Sequence, residues 1–348
     1  MHKLSIKTRL SRVKWTKAVL IVTVIVFVFI LRKRVIMKLR SQKVEKLIYT
    51  NILLAVRKMQ GHKRFIPADK FTLKHLPERY QDKDLYEYIK IISNQTVRVS
   101  VTMTTPHRPD VWPKTTQPYP FHNMSNRRNL RTGSGRVKFI NKYIDGFKQN
   151  GIIGRTDSAL CWCKKCQDSD SPSNVWWEFY VHTATHVVFD DIEASHTTLR
   201  LFYDKDDSPV VSVDKVSLVG ANIEYDSCVL KSVTCDKTLG EKLTIISEKY
   251  VNIWEKITNK YNDPGREYTL NFIVSHPHGC AKQISIGQRK YELHVYGGTK
   301  YTYTTSTCPG SSGANVLFVG YNDTWRFDVV HSGSLKSGLN YSGVGVFY

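Results

Sequence analysis

The region after Gly133 is a series of short apolar runs separated by turn residues, and this pattern limits the available folds more than any other feature. The clearest runs are Thr198–Tyr203, Val210–Val213, Leu270–Val274 and Val316–Gly320. Short runs of β-branched and aromatic residues, flanked by Gly, Pro, Asp and Ser, are typical of strands. We therefore expect a mainly β structure here, with one helix over about residues 239–261.

The N-terminus carries an apolar segment between two basic flanks. From Ala18 to Leu31, fourteen residues, only Thr23 is polar, and six Lys or Arg residues precede the segment while six follow it up to residue 43. Because a bilayer core needs about 20 residues, a span must recruit neighbours over about 13–37. A signal peptide fits the length, but basic residues follow in place of a small-x-small cleavage site. We predict a single-pass signal anchor.

Charge does not fix the orientation of this anchor, because both flanks are equally basic. A long domain that follows an N-terminal anchor is often lumenal or extracellular, and we favour that side slightly. The predicted localisation of the chain is the membrane. The formal net charge of +21 includes twelve Lys or Arg and no Asp or Glu within residues 1–43, which leaves +9 for the other 305 residues. No nucleic-acid-binding motif accompanies the charge. We expect a membrane partner and no nucleic acid.

The middle of the chain separates the N-terminal anchor from the β-rich domain. Apolar residues recur among Lys and Arg at near-helical spacing after residue 43, which predicts a basic amphipathic helix. Thr104–Pro109 and Pro113–Pro120 are rich in Pro and Thr, which favours extended backbone. We predict three regions: the basic N-terminus with its anchor (1–43), a helical then Pro/Thr-rich linker or wrapping segment (44–127), and a β-rich domain (128–348).

The run Thr307–Val316 contains a Gly-x-Ser-Gly turn between two β-rich segments. Small residues let the Ser312 hydroxyl stand clear of its own backbone while nearby amides point at one spot. Ser312 is therefore the candidate nucleophile, and the N–H groups of Gly310 and Ser312 are the candidate oxyanion hole. Ser311 is the competing serine, and an ordinary loop is the competing interpretation.

A candidate base and a candidate orienting carboxylate lie upstream. His186 ends the segment Thr183-Ala184-Thr185-His186, and Asp226 precedes a short apolar strand. Histidine can accept and return a proton near neutral pH, and a carboxylate can fix its tautomer. The competing residues are His182, His196, Asp204, Asp206, Asp207 and Asp214.

The order His186, Asp226, Ser312, with separations of 40 and 86 residues, resembles that of the chymotrypsin or trypsin-like serine peptidases. The resemblance covers roughly residues 128–348. It implies two six-stranded antiparallel β-barrels following the N-terminal membrane helix, with Ser312 attacking, His186 transferring the proton and Asp226 orienting it. It implies a peptide or protein substrate and no cofactor, and leaves the oligomeric state open. A catalytically silent, protease-like binding module at a membrane is the alternative function.

Two features depart from the family pattern. Many secreted members have an aspartate directly before the nucleophile, where this chain has Ser311, so activation by pairing with a new N-terminus is not expected. No cysteine follows His186, where vertebrate-type members place a disulfide.

The resemblance also indicates substrate-binding residues. They are Ser306, Thr307, His331, Ser332 and Gly333. No carboxylate lies among them, which argues against cleavage after Lys or Arg. His331 resembles the histidine by which some members contact a Glu or Gln side chain, and we predict that preference. A strand-end histidine bonded to its neighbours is the alternative.

The chain has seven cysteines, three of them in Cys161-Trp162-Cys163-Lys164-Lys165-Cys166. Cys161, Cys163 and Cys166 could hold zinc if a fourth ligand came from elsewhere in the chain, for example Cys280, His276 or His278. Disulfides and free buried thiols are the alternatives.

Overall fold

The computed structural model describes residues 64–149, 156, 158–262, 269–295, 297–320 and 329–345. The predicted anchor and the predicted basic helix after it lie outside these residues. Within the described ranges, no helix has the length and apolar character needed to cross a bilayer.

Strands account for most of the regular structure. They are β1 (Ile66–Pro67), β2 (Thr96–Val101), β3 (Arg131–Ile144), β4 (Phe147–Lys148), β5 (Val175–Thr183), β6 (Thr197–Leu201), β7 (Val211–Val213), β8 (Val216–Asn222), β9 (Ser227–Thr234), β10 (Leu270–Ser275), β11 (Gln283–Val295), β12 (Gly298–Tyr303), β13 (Val316–Phe318), β14 (His331–Ser334) and β15 (Asn340–Ser342). The helices are α1 (Lys83–Gln95), α2 (Lys164–Gln167), α3 (Asp191–Ser195) and α4 (Lys237–Tyr261). Short 3₁₀ turns occur at 73–75, 78–80, 122–124 and 277–279.

The strands form two antiparallel sheets. The first has eight strands in the order β7-β6-β2-β3-β5-β9-β8, with β4 paired to β3. The second has seven strands in the order β13-β10-β11-β12-β15-β14, with β1 paired to β11. The second sheet closes on itself, because Val316 N donates to Val329 O at 2.9 Å and His331 N to Ala314 O at 2.8 Å.

Alternation explains which side chains fill the first sheet. Along β6, Leu199 and Leu201 are fully buried while Arg200 between them is only half-buried, the period of two expected of a strand. Val97, Phe179 and Leu230 from neighbouring strands join the same core. The core therefore lies on one face of the sheet.

Strand β10 is buried along its whole length because both of its faces are covered. Phe272 and Val274 pack in a cluster with α1 and α4, whereas Ile273 packs with Tyr301 and Tyr303 on the other face. This accounts for the mainly apolar run in the sequence at 270–274, since a strand covered on both faces has no need of polar alternation. The one polar residue, Asn271, is buried and its side chain donates to Leu317 O at 3.0 Å.

The sequence expectation of a mainly β structure is correct, but the strand counts differ from two barrels of six. The short strands β1 and β4 extend the sheets to seven and eight. The predicted helix over 239–261 corresponds to α4, which begins two residues earlier because the Asp236 side chain accepts a hydrogen bond from Leu239 N at 3.1 Å.

Part of the predicted linker or wrapping segment lies inside the fold. Strand β2 pairs with β3 on one side and with β6 on the other. Asp82 is the N-cap of helix α1: its side chain accepts a hydrogen bond from Leu85 N and pairs with Lys260 of α4. The alternating pattern Thr96–Val101 is the signal for this strand, and the Pro- and Thr-rich pieces that follow it concealed that signal.

Helix α4 crosses the first sheet at Gly240. A Cβ added there would lie 2.1 Å from Cδ2 of Trp177, a β5 residue with 1% exposure. Alanine normally stabilises a helix by about 1 kcal/mol over glycine. We nevertheless expect Gly240→Ala to lower the free energy of unfolding by about 1–3 kcal/mol, because the added methyl overpacks the core.

Urea denaturation of the full-length chain measures this difference. The matched control is Gly220→Ala in β8, where an added Cβ meets no atom within 4 Å, and the expected change is under about 0.5 kcal/mol. A Gly240→Ala protein at least as stable as the parent would show that α4 is not packed against Trp177 in this way.

Candidate active site

The paired strands β5 and β9 bring His186 and Asp226 to one end of the first sheet. Thr183, the last residue of β5, is opposite Cys228 near the start of β9. A turn follows β5, in which Val187 N and Val188 N both donate to Ala184 O, and this turn carries His186. Asp226 precedes β9 in the left-handed region at φ +50°, which Asp tolerates better than most residues.

The His186 ring is held by the Asp226 carboxylate. Nδ1 lies 2.8 Å from Oδ2 and 3.0 Å from Oδ1, and the His186 backbone N donates to Oδ1 at 3.0 Å. Ser332 Oγ donates to Oδ2 at 2.5 Å. Because the carboxylate is an acceptor, Nδ1 carries a proton and Nε2 is the nitrogen left to face the rest of the site.

The turn that carries Ser312 packs against the end of β5. Ser311 N donates to Cys308 O at 2.8 Å, and Ser134 N donates to Ser312 O at 2.8 Å. A Cβ added to Gly313 would lie 2.1 Å from Thr183 Oγ1, so only glycine fits this close approach. Thr183 is three residues before His186, and the candidate serine and histidine are thereby on adjoining segments.

The Ser312 hydroxyl makes no hydrogen bond with any residue of the described chain, His186 included. Such contacts are often long in unliganded enzymes and shorten on substrate binding. Ser311 differs: its Oγ lies 3.1 Å from Ser275 Oγ and accepts from Cys308 N at 3.2 Å, and the residue is fully buried. Of the two serines, Ser312 therefore has the freer hydroxyl.

The peptide before Gly310 is oriented by the 277–279 turn. Pro309 O accepts from His278 N at 2.5 Å, and the Gly310 N–H points the opposite way because the peptide is trans. Gly310 O accepts from Ser134 Oγ at 2.8 Å. Within the described ranges, neither Gly310 N nor Ser312 N donates a hydrogen bond, so both remain available to an oxyanion.

His331 is the first residue of β14 in the second sheet. It is buried, and its Nδ1 lies 2.8 Å from the Tyr303 hydroxyl, which also lies 3.2 Å from Tyr341 O. Burial, together with the nearby His186 imidazole, lowers the pKa of His331 to about 3. The imidazole is therefore neutral at neutral pH.

The other predicted substrate-binding residues lie close by but differ in their contacts. Ser332 bonds to Asp226, as described above, and so supports the carboxylate. Gly333 packs against Tyr341, whose hydroxyl would lie 2.5 Å from an added Cβ. Ser306 and Thr307 are half-buried in the segment between β12 and the serine turn, where Ser306 O accepts from Ser285 Oγ at 2.9 Å.

A cleft of about 770 Å³ opens beside Asp226. Its lining includes Trp112, Tyr225, Ser332, Ser334 and Tyr341. Strand β14 ends the path of the second sheet, so its outer edge beyond His331 has no strand partner among the described residues. The cleft thus has an open backbone edge suited to an extended chain.

A buried charge network beneath His186 was missed in the sequence. Arg108 binds both oxygens of Glu193 at 2.7 Å, and Arg131 Nη2 lies 2.5 Å from the same carboxylate. Arg108 also donates to His186 O at 3.1 Å, and Arg131 donates to Val187 O at 3.4 Å. No local motif marks these residues, because 85 positions separate Arg108 from Glu193.

Trp112 was also missed. Its ring lies edge-on to the His186 imidazole, with centroids 6.1 Å apart and an interplanar angle of 65°. The position of Trp112 within the Pro- and Thr-rich region was the available signal, since a large aromatic residue seldom lies in a solvated linker.

The fourth partner of the cysteine cluster is Cys235, which the sequence did not single out as the fourth ligand. The sulfurs of Cys161, Cys163, Cys166 and Cys235 all lie within 4.8 Å of one another. Of the candidates considered, His276 is instead buried against Tyr203 with Nδ1 donating to Cys280 O at 2.9 Å.

No protein-family model and no curated protein matches the chain. Among solved structures, the HtrA-type protease AlgW with a tripeptide is similar at 13% identity and TM-score 0.37, over 74% of this chain and 58% of that one. The Rv3671c protease in its inactive form is similar at 11% identity and TM-score 0.35, over 76% and 90%. This chain spans 62% of an AlgW structure with a decapeptide. At these values, neither family nor activity passes from those proteins to this chain.

The charge network makes a prediction about stability. We expect Glu193→Gln to lower the free energy of unfolding by about 3–5 kcal/mol, because it leaves two buried guanidinium groups without an anionic partner. The matched control is Glu241→Gln on α4, whose exposed pair with Lys237 spans 3.8 Å and should contribute less than about 1 kcal/mol. Urea denaturation compares the two, and equal small effects would contradict a network that is buried and paired.

Proposed function

We propose that this chain is a serine endopeptidase, in which Ser312 is the nucleophile, His186 the general base and Asp226 the carboxylate that orients it. The observation that carries the proposal is the two-point contact of the Asp226 carboxylate with His186 Nδ1, on a turn that adjoins the Ser312 turn. A carboxylate held in this way fixes the imidazole tautomer whose Nε2 can accept a proton.

The proposed reaction follows from these positions. Ser312 Oγ attacks the carbonyl carbon of the scissile peptide while His186 Nε2 takes its proton. The N–H groups of Gly310 and Ser312 stabilise the oxyanion that forms. His186 then returns the proton to the leaving amine, and an acyl-enzyme remains on Ser312. Water, deprotonated by His186, hydrolyses that ester and restores the serine.

Two features support a site formed without N-terminal cleavage. Ser311 and Ser275 pair with each other where many family members use an aspartate, so a new N-terminal ammonium has no carboxylate to bind. The bond from His278 N to Pro309 O orients the Gly310 peptide independently of any such pairing. We infer that the oxyanion hole is preformed.

The cleft beside Asp226 favours a peptide substrate. The outer edge of β14 beyond His331, which pairs with no strand of the described ranges, offers backbone groups to an extended chain, which can bind as an added strand. The proposed membrane anchor, over about residues 13–37, would hold this site near a membrane. The proposal therefore describes a tethered endopeptidase whose substrates reach it as extended segments.

Labelling by a fluorophosphonate probe tests the nucleophile. We expect the full-length chain, kept in mild detergent, to be labelled at Ser312, because only an activated serine attacks such a probe at an appreciable rate. The labelled residue is identified by mass spectrometry. Ser312→Ala and His186→Ala should each abolish labelling, since members of such a unit act together.

The matched control is Ser311→Ala, which removes the neighbouring hydroxyl and should retain labelling at Ser312. A folded parent protein that is not labelled would exclude an activated serine and favour a silent, protease-like binding module. Labelling that persists at another serine in Ser312→Ala would refute the assignment.

The environment of His331 predicts which residue is preferred before the scissile bond. Because its imidazole stays neutral, it can hydrogen-bond a Gln side chain without charge, whereas a buried Glu carboxylate would lack a cation. We therefore expect peptides with Gln before the scissile bond to be cleaved better than peptides with Glu there, by roughly 10- to 100-fold in kcat/KM.

A peptide library digested by the full-length chain measures this preference. His331→Ala should lose the advantage of Gln, whereas Ser171→Ala, at an exposed serine that does not line the cleft, should keep it. Cleavage mainly after Lys or large apolar residues would contradict the proposed role of His331.

A further inference from the structure

Four cysteine sulfurs converge at one point remote from the candidate active site. Cys161, Cys163 and Cys166 belong to the segment around α2, and Cys235 follows β9 directly. All four Sγ atoms lie within 4.8 Å of one another, and those of Cys163 and Cys235 are 3.5 Å apart. The three cysteines of the α2 segment are buried, with exposed fractions of 4–7%.

These distances match a tetrahedral thiolate site. Zinc–sulfur bonds of about 2.3 Å place the sulfurs of a tetrahedron about 3.8 Å apart, within the range seen here. Two separate disulfides would instead divide the sulfurs into two pairs, which needs no common point. The Cys-x-Cys-x-x-Cys spacing with a distant fourth cysteine also gives four thiolates and no other ligand type, a set that suits zinc.

The surroundings are those of a metal-thiolate group. Backbone N–H groups point at two of the sulfurs: Cys163 N at Cys161 Sγ and Ser173 N at Cys166 Sγ, each at 3.4 Å. Such bonds orient ligands and offset thiolate charge. Lys164 and Lys165 lie within the same segment and add positive charge to it, although Lys164 also pairs with Asp214 at 3.2 Å. Trp176 and Tyr143 pack against the cluster and shield it from water.

We propose that Cys161, Cys163, Cys166 and Cys235 bind one zinc ion with a structural role. Four protein ligands leave no open position for water or substrate, so the ion would not take part in catalysis. The inference does not rest on the proposed peptidase activity.

The position of the cluster indicates what the ion would stabilise. Strands β5 and β9 pair from Thr183 and Cys228 at one end to Trp177 and Thr234 at the other. His186 and Asp226 lie beyond the first end, and the cysteines lie beyond the second, about 20 Å away at 3.4 Å per residue. Zinc would fasten the α2 segment, which precedes β5, to the residue that follows β9.

Metal analysis of the full-length chain, purified without chelator or added metal, tests the proposal. We expect one zinc per chain, released when the thiols are modified by an organomercurial. Cys235→Ser should weaken zinc affinity by more than the roughly 10- to 100-fold that changes around a site usually cause. Cobalt substituted for zinc should show the visible absorption of a tetrahedral thiolate site.

Two variants keep the test decisive if Cys235→Ser fails to fold. Cys235→His replaces one zinc ligand by another and should retain the metal. Cys228→Ala removes a buried thiol outside the cluster and should also retain the metal. Zinc well below one per chain in the parent protein, or disulfides among these four cysteines in non-reducing peptide mapping, would overturn the proposal. Loss of zinc in Cys228→Ala as great as in Cys235→Ser would also do so.

Discussion

The antiparallel pairing of β5 with β9 is the constraint on which the rest of the site depends. Its register puts Thr183 opposite Cys228, and the turns beyond these residues then bring His186 onto the Asp226 carboxylate. At the opposite end, the same register brings Cys235 to the cysteines that precede β5. A shift of this register by one residue would turn every side chain of the strand to the other face, and would separate both the His186–Asp226 pair and the four cysteines.

Buried charge reinforces this geometry from below. Glu193 holds Arg108 and Arg131, and the two guanidinium groups bind the backbone oxygens of His186 and Val187. A carboxylate shared by two cations inside a protein is costly to desolvate, but such a network can hold its surroundings in one conformation. Here the fixed element is the turn that carries the candidate base, which links a segment far upstream in sequence to the chemistry proposed for Ser312.

Part of the fold and of the candidate site could be predicted from short-range sequence patterns. The glycines around Ser312 and the apolar runs after Gly133 are visible in the sequence because turn geometry and strand alternation act over a few residues. Strand β2, the Glu193 network and the place of Cys235 could not be predicted, since each depends on contacts between segments far apart. The contacts of Ser332 are a further example: a residue expected to meet substrate donates to Asp226, because β14 folds back onto that carboxylate.

We propose that Ser312 forms a covalent acyl-enzyme during peptide hydrolysis. Intact-protein mass spectrometry of the full-length chain, quenched in acid within the first turnover of an activated ester substrate, tests this directly. We expect a transient gain of one acyl group on Ser312 that decays as product accumulates, and no such gain in Asp226→Asn at the same time point. Substrate turnover by a folded protein with no acyl group on Ser312 at any time would contradict it.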